Sequence, residues 1–175
     1  MVGGQRIIDR VAGALGTVVS EYVVVANDQR AAEWIPGKTA ISDISRQRGS
    51  LVGIHTALSH ARQPILLVAW DMPFVTPELL ALIRDRLARS AFAAIPFSDA
   101  GAEPLCAAYT PACLPWIERA LAADDLRLSS MLDHLAEYER IPVDDVRAVG
   151  DPARLFFNVN DASDLARAER LAAAG

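Results

Sequence analysis

Two patterns of hydrophobic positions alternate along the chain. Short runs of consecutive apolar residues are followed by longer stretches in which apolar residues recur every three or four positions. The runs are typical of strands buried on both faces of a parallel sheet, and the recurring positions are typical of amphipathic helices. Strands that alternate with helices of this kind predict an α/β architecture with a mostly parallel central sheet flanked by helices. We expect one Rossmann-like domain over residues 1–175.

The strongest predicted strand is the apolar run Ile65–Ala69, which is closed by Asp71. Its continuous apolar character predicts burial on both faces. The segment FFNVN (156–160) is interpreted as the end of a strand. The remaining predicted strands are 21–27 (EYVVVAN), 39–42 (TAIS), 91–97 (AFAAIPF), 104–109 (PLCAAY) and about 138–143.

The helices are predicted from apolar spacing and from their starting residues. Thr76 as N-cap, Pro77 at the first position and Glu78 in the first turn mark the start of one helix. The others are predicted at about 6–16, from 51 to 58, at about 111–122 and 127–137, and after Asp161 or Ser163 as N-cap.

Composition narrows the class of protein. A net charge of −5 and a pI near 5.1 argue against a general nucleic-acid binder, which would show a basic stripe. No apolar run approaches the length of a membrane span, and no signal-peptide pattern occurs. Cys106 and Cys113 match no metal spacing and are expected to be buried thiols in a reducing compartment. These features predict a cytoplasmic protein without nucleic-acid or membrane partners.

Polar side chains end three of the predicted strands. Asn27, Asp43 and Asp71 each follow an apolar run. Such residues often only turn the chain or cap a helix. Parallel strands, however, bring their carboxyl ends to one edge of a sheet, where ligands of open α/β folds bind. Asp71, fixed by Pro73, is suited to hold Mg²⁺ against phosphate oxygens, because Mg²⁺ needs few protein carboxylates. The residues alone therefore favour a nucleotide or sugar-phosphate enzyme.

Several segments, in order, resemble one enzyme family. AWDMPFVTPELL is similar to the CDMPF-type motif of the molybdenum cofactor guanylyltransferases (the molybdopterin-guanine dinucleotide biosynthesis protein A family), which belong to the nucleotidyltransferase superfamily. VVVAN, ISDISRQRGSLVGIHTAL, EPLCAAY, DLRLSSML and FFNVNDASDLARAE resemble other blocks of that family. The similarity runs from about Gly3 to about Glu169. DMPF alone is shared with related nucleotidyltransferases, so the combination of blocks carries the specificity.

The resemblance implies a Mg²⁺-dependent guanylyltransferase. In that reaction the terminal phosphate of molybdopterin attacks the α-phosphorus of GTP, and pyrophosphate leaves. Asp71 would be the catalytic Mg²⁺ ligand and would also contact the nucleotide. Asn27 and Asp43 would contact the nucleotide, and Gly53 would let the ligand approach the backbone closely. The implied partners are GTP, molybdopterin and the proteins that mature molybdoenzymes.

The resemblance also implies a molybdopterin side of the site. Asn158 and Asn160 would present two amides on one side of an extended segment. Their alternative interpretation is a turn and cap ahead of the last helix. Arg127 matches the start of an arginine-containing helix of the family and would meet an anionic group. A solvated or structural role for Arg127 is the alternative.

The front of the chain departs from the family. Family members begin with a strand and a LAGG-x-S-x-RMG-x-DK type loop that binds the triphosphate, and no such stretch occurs here. Gly3 and Gly4 resemble instead the later turn that opens the first helix. The sole lysine, Lys38, does not match the loop lysine. The missing strand would be central in the sheet, so this sequence is expected to be truncated or degenerate and to turn over GTP poorly.

Two smaller departures occur inside the chain. Trp70 stands where the family has a small residue before the aspartate, and Ser50 stands where proline is typical.

Three functions remain open. They are transfer of GMP to molybdopterin, another nucleotidyl transfer such as that of a molybdopterin cytidylyltransferase, and non-catalytic cofactor binding.

Overall fold

The computed structural model describes residues 1–134 and 137–174, which form an α/β fold. The strands are β1 (Val24–Val25), β2 (Ala40–Ile41), β3 (Ile65–Val68), β4 (Ala93–Ser98), β5 (Gly101–Ala102), β6 (Cys106–Tyr109) and β7 (Glu139–Ile141). The helices are α1 (Ile7–Gly16), α2 (Ala31–Trp34), α3 (Ser50–Ala61), α4 (Pro77–Arg86), α5 (Leu114–Ala122), α6 (Leu128–His134), α7 (Val143–Arg147), α8 (Pro152–Leu155) and α9 (Ala162–Ala173).

The described strands form two sheets with mixed directions. β1 and β2 pair in parallel as a two-stranded sheet, and β3, β6, β4 and β5 follow one another in a second sheet. In that second sheet β7 pairs in parallel with β4, whereas the β3–β6, β4–β6 and β4–β5 pairs are antiparallel. The prediction of a mostly parallel sheet is thus confirmed only in part. The chain turns back after β4, so that β5 and β6, which follow within a few residues, both run opposite to β4. Such short connections permit only antiparallel neighbours.

β3 is less buried than its apolar sequence predicts. All four residues of β6 are buried, but the residues of β3 are only partly buried. The difference follows from topology, because β3 pairs with β6 on one edge and no other described strand pairs with it. α3 packs against both β1 and β3 and so connects the two sheets on one face.

The core lies in two layers on opposite faces of the larger sheet. Side chains of β4 and β6 alternate between these layers, as the pleat of a strand requires. Ala94 and Ala108 face a layer built from α1, α4, α7 and α8. Ala93, Ile95 and Tyr109 face a second layer built from α3, α5 and α6. The helices of both layers bury leucine, isoleucine and valine side chains completely, which is the main stabilising term of the fold.

Several predicted elements differ in extent or kind. The strand predicted at 21–27 is reduced to Val24–Val25, and the segment predicted as helix at 111–122 begins with a 3₁₀ turn at Pro111–Cys113. The helix predicted at 127–137 is seen as α6, and part of its predicted end lies outside the described residues. α2, α7 and α8 were not predicted, since each is too short for a periodic pattern.

The segment FFNVN is not a strand. No described strand pairs with residues 156–160, and one backbone hydrogen bond, from Val159 N–H to the Asp71 carbonyl (2.9 Å), joins the segment to the end of β3. The alternation of apolar and polar residues reflects burial of Phe156 and Phe157 beside exposed asparagines.

The paired glycines near the N-terminus form a tight turn, as the sequence predicted. Gly3 and Gly4 both have positive φ angles, of 56° and 77°, and Val2 and Gln5 pair across the turn. Val2 is fully buried in a small cluster with Phe74 and Phe157. The turn thus anchors the start of α1 against the rest of the fold.

The N-cap of α9 gives a stability prediction. Asp161 Oδ1 accepts hydrogen bonds from the backbone N–H groups of Ser163 (2.8 Å) and Asp164 (2.9 Å). Asp161→Ala leaves both donors without this acceptor, so we expect urea unfolding to show a loss of about 1 kcal/mol. Asp161→Asn retains an acceptor oxygen and should lose much less. Equal losses in the two variants would contradict the capping role.

Candidate active site

Asp71 lies just beyond β3, where the sequence predicted a metal ligand. Its backbone carbonyl accepts the hydrogen bond from Val159, and its side chain is partly buried. The carboxylate oxygen Oδ1 is buried and has no hydrogen-bond partner among the described residues. Burial raises the pKa of this carboxyl group above its ordinary value. A cation bound at Oδ1 would stabilise the charged form of this partly buried carboxylate.

The donor set around Asp71 fits Mg²⁺ only if the substrate supplies further oxygens. Among the described residues, no group of three or more His, Cys, Asp or Glu side chains is arranged to hold a metal ion. Mg²⁺ commonly binds one or two carboxylates together with substrate phosphates and waters. The orphaned oxygen of Asp71 fits such a site, and the binding of Mg²⁺ stays a prediction.

Asn27 and Asp43 are brought together, as expected from their positions after neighbouring parallel strands. The side-chain amide of Asn27 donates to Asp43 Oδ2 (2.7 Å), and the backbone N–H of Asp43 donates to Asn27 Oδ1 (3.0 Å). This two-way pair continues beyond the two short strands β1 and β2 and fixes both side chains. Asn27 is exposed and Asp43 is half-buried, so the pair remains accessible to a ligand.

Thr56 supports this pair and was missed by the sequence reasoning. Its side chain is buried in α3, where its hydroxyl donates to Asp43 Oδ1 (3.3 Å) and accepts from the backbone N–H of Ile44 (3.2 Å). A threonine inside a helix gives no sequence signal of its own. Only the packing of α3 against β1 shows that it positions Asp43.

Gly53 lies in α3 one turn before Thr56. A Cβ atom added at Gly53 would meet no described atom within 4 Å, so the fold itself leaves room for a larger residue. Glycine destabilises the interior of a helix relative to alanine. A glycine that internal packing does not require is compatible with the predicted close approach of a ligand, and that role stays a prediction.

Asn158 and Asn160 lie close to the backbone of Asp71. Asn158 and Asn160 are exposed and flank Val159, whose N–H binds the Asp71 carbonyl. The backbone N–H of Asn160 donates to Asp164 at the start of α9 (3.0 Å), so the segment also serves the helix start. Both interpretations offered by the sequence are therefore compatible with the geometry.

Arg127 pairs with a neighbouring aspartate. Its guanidinium forms a two-pronged pair with Asp125, with distances of 2.9 and 3.1 Å, and the Arg127 guanidinium holds the pKa of Asp125 well below its ordinary value. The loop that carries it packs near Gly49, whose added Cβ would lie 3.9 Å from Leu126. Among the described contacts, none joins Arg127 to Asn158 or Asn160. A role toward the pterin stays a prediction without support from this arrangement.

The turn after Asp71 is held by α1. Arg10 Nε donates to the carbonyl of Pro73 (2.8 Å), and its guanidinium lies 5.9 Å from the centre of the Phe74 ring. A cavity of about 320 Å³ lies between α1 and this turn and is lined in part by Asp9, Arg10 and Pro73. None of the predicted site residues lines this cavity. The candidate site is instead the open edge at which Asp71, Asn158 and Asn160 lie.

Asp71 gives a testable pH dependence. Because burial raises the pKa of its carboxyl, this group's contribution to stability is fully present below the unfolded pKa and is lost as pH rises through the folded pKa. Asp71→Asn removes the ionisation. We expect the variant to be more stable than the parent at neutral pH in metal-free buffer, with the difference shrinking toward acidic pH.

Urea unfolding at a series of pH values measures this effect. Asp85→Asn is the matched control, because Asp85 is exposed on α4 and its carboxylate is paired with Arg84. An Asp71→Asn variant that is less stable than the parent at neutral pH would show that the ionised carboxylate is not destabilising.

Comparison with known proteins shows which family the chain resembles. The family model described as a MobA-like NTP transferase domain matches residues 1–141. A probable molybdenum cofactor guanylyltransferase of Pelotomaculum thermopropionicum is 32% identical over 172 residues, which cover 98% of this chain and 82% of that protein. The molybdenum cofactor guanylyltransferase of Desulfosudis oleivorans is 30% identical over 177 residues, which cover 100% of this chain and 86% of the relative.

Solved structures agree with this assignment. The molybdopterin-guanine dinucleotide biosynthesis protein A of Archaeoglobus fulgidus is 31% identical, with a TM-score of 0.83 over 100% of this chain and 89% of that one. The 2-C-methyl-D-erythritol 4-phosphate cytidylyltransferase of Thermus thermophilus, at 18% identity and a TM-score of 0.63, covers 99% of this chain and 91% of its own, and shows the fold alone. The chain belongs to the family of MobA-like NTP transferase domains.

Proposed function

We propose that the protein transfers GMP from GTP to molybdopterin, forming molybdopterin guanine dinucleotide and releasing pyrophosphate. The observation that carries this proposal is the half-buried Asp71, whose oxygen Oδ1 has no described partner, at the end of β3. The relatives named as molybdenum cofactor guanylyltransferases support the choice of substrates. Family membership supports a nucleotidyl transfer more broadly.

The reaction forms one bond and breaks one. An oxygen of the terminal phosphate of molybdopterin bonds to the α-phosphorus of GTP, and the bond between that phosphorus and the bridging oxygen to the β-phosphate breaks. Pyrophosphate leaves with the electron pair. No protein nucleophile is needed, because such transfers depend mainly on positioning and on electrostatic stabilisation.

The protein's part is to bind and orient the two substrates. Asn27 and Asp43, fixed to each other and to Thr56, would present hydrogen-bonding groups to the nucleotide. Gly53 would allow a ligand to lie against the backbone of α3. Asn158 and Asn160 would present their amides to molybdopterin beside Asp71.

Asp71 would hold Mg²⁺ when the nucleotide is bound. A bound Mg²⁺ neutralises charge that develops on phosphate oxygens during transfer. The orphaned oxygen Oδ1 of Asp71 supports this assignment, since no described group donates a hydrogen bond to it.

Transfer is measured with GTP labelled at the α-phosphate, molybdopterin and Mg²⁺. We expect label to enter a molybdopterin product in the presence of GTP, with much less transfer from labelled CTP. Asp71→Asn should abolish transfer, whereas Asp85→Asn, remote from the site on α4, should leave it unchanged.

The assay is run on the 175-residue chain and on the same chain joined to residues encoded in frame upstream of Met1. Absence of transfer by both proteins would overturn the proposed function. Transfer from CTP in preference to GTP would favour the cytidylyltransferase alternative, and cofactor binding without transfer would favour the non-catalytic one.

Gly53 provides a test that separates stability from binding. Gly53→Ala should raise the free energy of unfolding by about 0.5–1 kcal/mol, because alanine favours the helix interior and the added Cβ has room. The same variant should bind GTP more weakly if the nucleotide lies against this backbone. Calorimetric titration with GTP and urea unfolding measure the two effects. Unchanged GTP affinity in the stabilised variant would exclude Gly53 from the nucleotide site.

The proposed setting is the cytoplasm, where molybdoenzyme maturation proteins would take up the product. Two observations support this setting. Cys106 and Cys113 are both free and buried, as is common in reducing compartments. Within the described part of the chain, every helix is too short or too polar to span a lipid bilayer.

A further inference from the structure

A large aromatic side chain lies exposed beside the candidate site. Trp70 directly precedes Asp71 and leaves 60% of its surface open to solvent. Trp70 lies just beyond β3, and neither of the two main core clusters includes it. The aromatic surface of Trp70 is therefore accessible to a ligand beside a partly buried carboxylate, and aromatic rings favour stacked contacts with other flat rings.

Trp70 is contacted by a second tryptophan, which lies at the end of α2. The Trp34 and Trp70 ring centres lie 6.5 Å apart, with the ring planes inclined at 48°. Trp34 closes α2, which follows Asn27 and the strand β1, and its backbone carbonyl accepts a hydrogen bond from Arg6 (2.9 Å). The pair therefore joins the element that carries Asn27 to the element that carries Asp71.

The tilted contact leaves Trp70 free to stack on a third ring. Trp34 is half-buried, whereas Trp70 is mostly exposed, so the exposed ring surface belongs mainly to Trp70. Aromatic side chains bind flat heterocycles by stacking, and every nucleobase offers a suitable face. An aromatic surface next to the carboxylate proposed to hold Mg²⁺ thus matches a ligand that carries both a fused ring and Mg²⁺-bound phosphate.

We propose that Trp70, held by Trp34, is a stacking platform for the fused heterocycle of a substrate. This inference rests on the proposed function, in which both substrates carry such a ring. Guanine and the pterin share a fused bicyclic ring with a 2-amino-4-oxo pyrimidine half, so either ring has the required chemistry. Trp70 in this role is a specificity-determining residue that binds the ring, and Asp71 serves the phosphates.

Intrinsic fluorescence of the full chain tests the platform. Trp116→Phe is the starting protein, because it leaves Trp34 and Trp70 as the only tryptophans. Trp116 lies on α5, with the Arg119 guanidinium 3.9 Å from its ring centre. The protein is titrated separately with guanosine, with pterin and with tripolyphosphate, which carries no ring.

We expect one of the two ring compounds to quench the fluorescence and tripolyphosphate to leave it unchanged. The compound that quenches identifies which substrate ring stacks. In calorimetric titrations, Trp70→Ala should weaken binding of that compound by about tenfold, and Trp70→Phe should restore most of the affinity because it keeps an aromatic face. Tripolyphosphate affinity should be the same in all three proteins. Urea unfolding establishes that each variant folds.

Two results would overturn the proposal. One is equal ring-compound affinity in Trp70→Ala and its parent, and the other is a loss that Trp70→Phe does not restore. These binding results are separate from GMP transfer. Failure of transfer with an intact ring effect would overturn the proposed reaction only, and successful transfer with no ring effect would overturn the platform only.

Discussion

A single backbone hydrogen bond joins the parts on which the candidate site depends. The N–H of Val159 donates to the carbonyl of Asp71, and thereby places two exposed asparagines beside the end of β3. The hydrogen bond joins residues 88 positions apart, and the buried residues of β4 and β6 lie in the chain between them. Because α9 is capped immediately after this segment, the position of the last helix and the shape of the site are set together.

The polar side chains of the candidate site differ in whether they have hydrogen-bond partners within the protein. Asn27 and Asp43 satisfy each other, and Thr56 completes their network from within α3. Asp71, by contrast, keeps one buried oxygen without a described partner, and burial disfavours its charged form. One side of the site is thus prearranged, and under the proposed function the other side would gain stability from the bound ligand. This division suits a reaction that depends on positioning and on charge neutralisation.

Mixed strand direction and incomplete pairing explain why parts of the sequence were misread. The run Ile65–Ala69 has the apolar character of a strand buried on both faces, but with β6 on one edge alone it is only half-buried. The strand β1 is much shorter than its apolar run, and β2 is the only described strand that pairs with it. FFNVN alternates like a strand, and yet no described strand pairs with it. The hydrophobic pattern of a segment shows which residues favour burial, whereas strand pairing depends on which other strands lie beside the segment.

The sequence by itself determined the α/β class, the order of the principal elements, the family and the polar residues that follow β1, β2 and β3. Each of these depends on local hydrophobic periodicity or on motifs that can be recognised in a single sequence. Only the tertiary structure decided that Thr56 supports Asp43, that Arg127 pairs with Asp125, and that Trp70 meets Trp34. Thr56 and Trp70 meet partners that lie more than ten residues away in the chain, because packing of the helices against the sheets brings them together, and no local sequence pattern records such contacts.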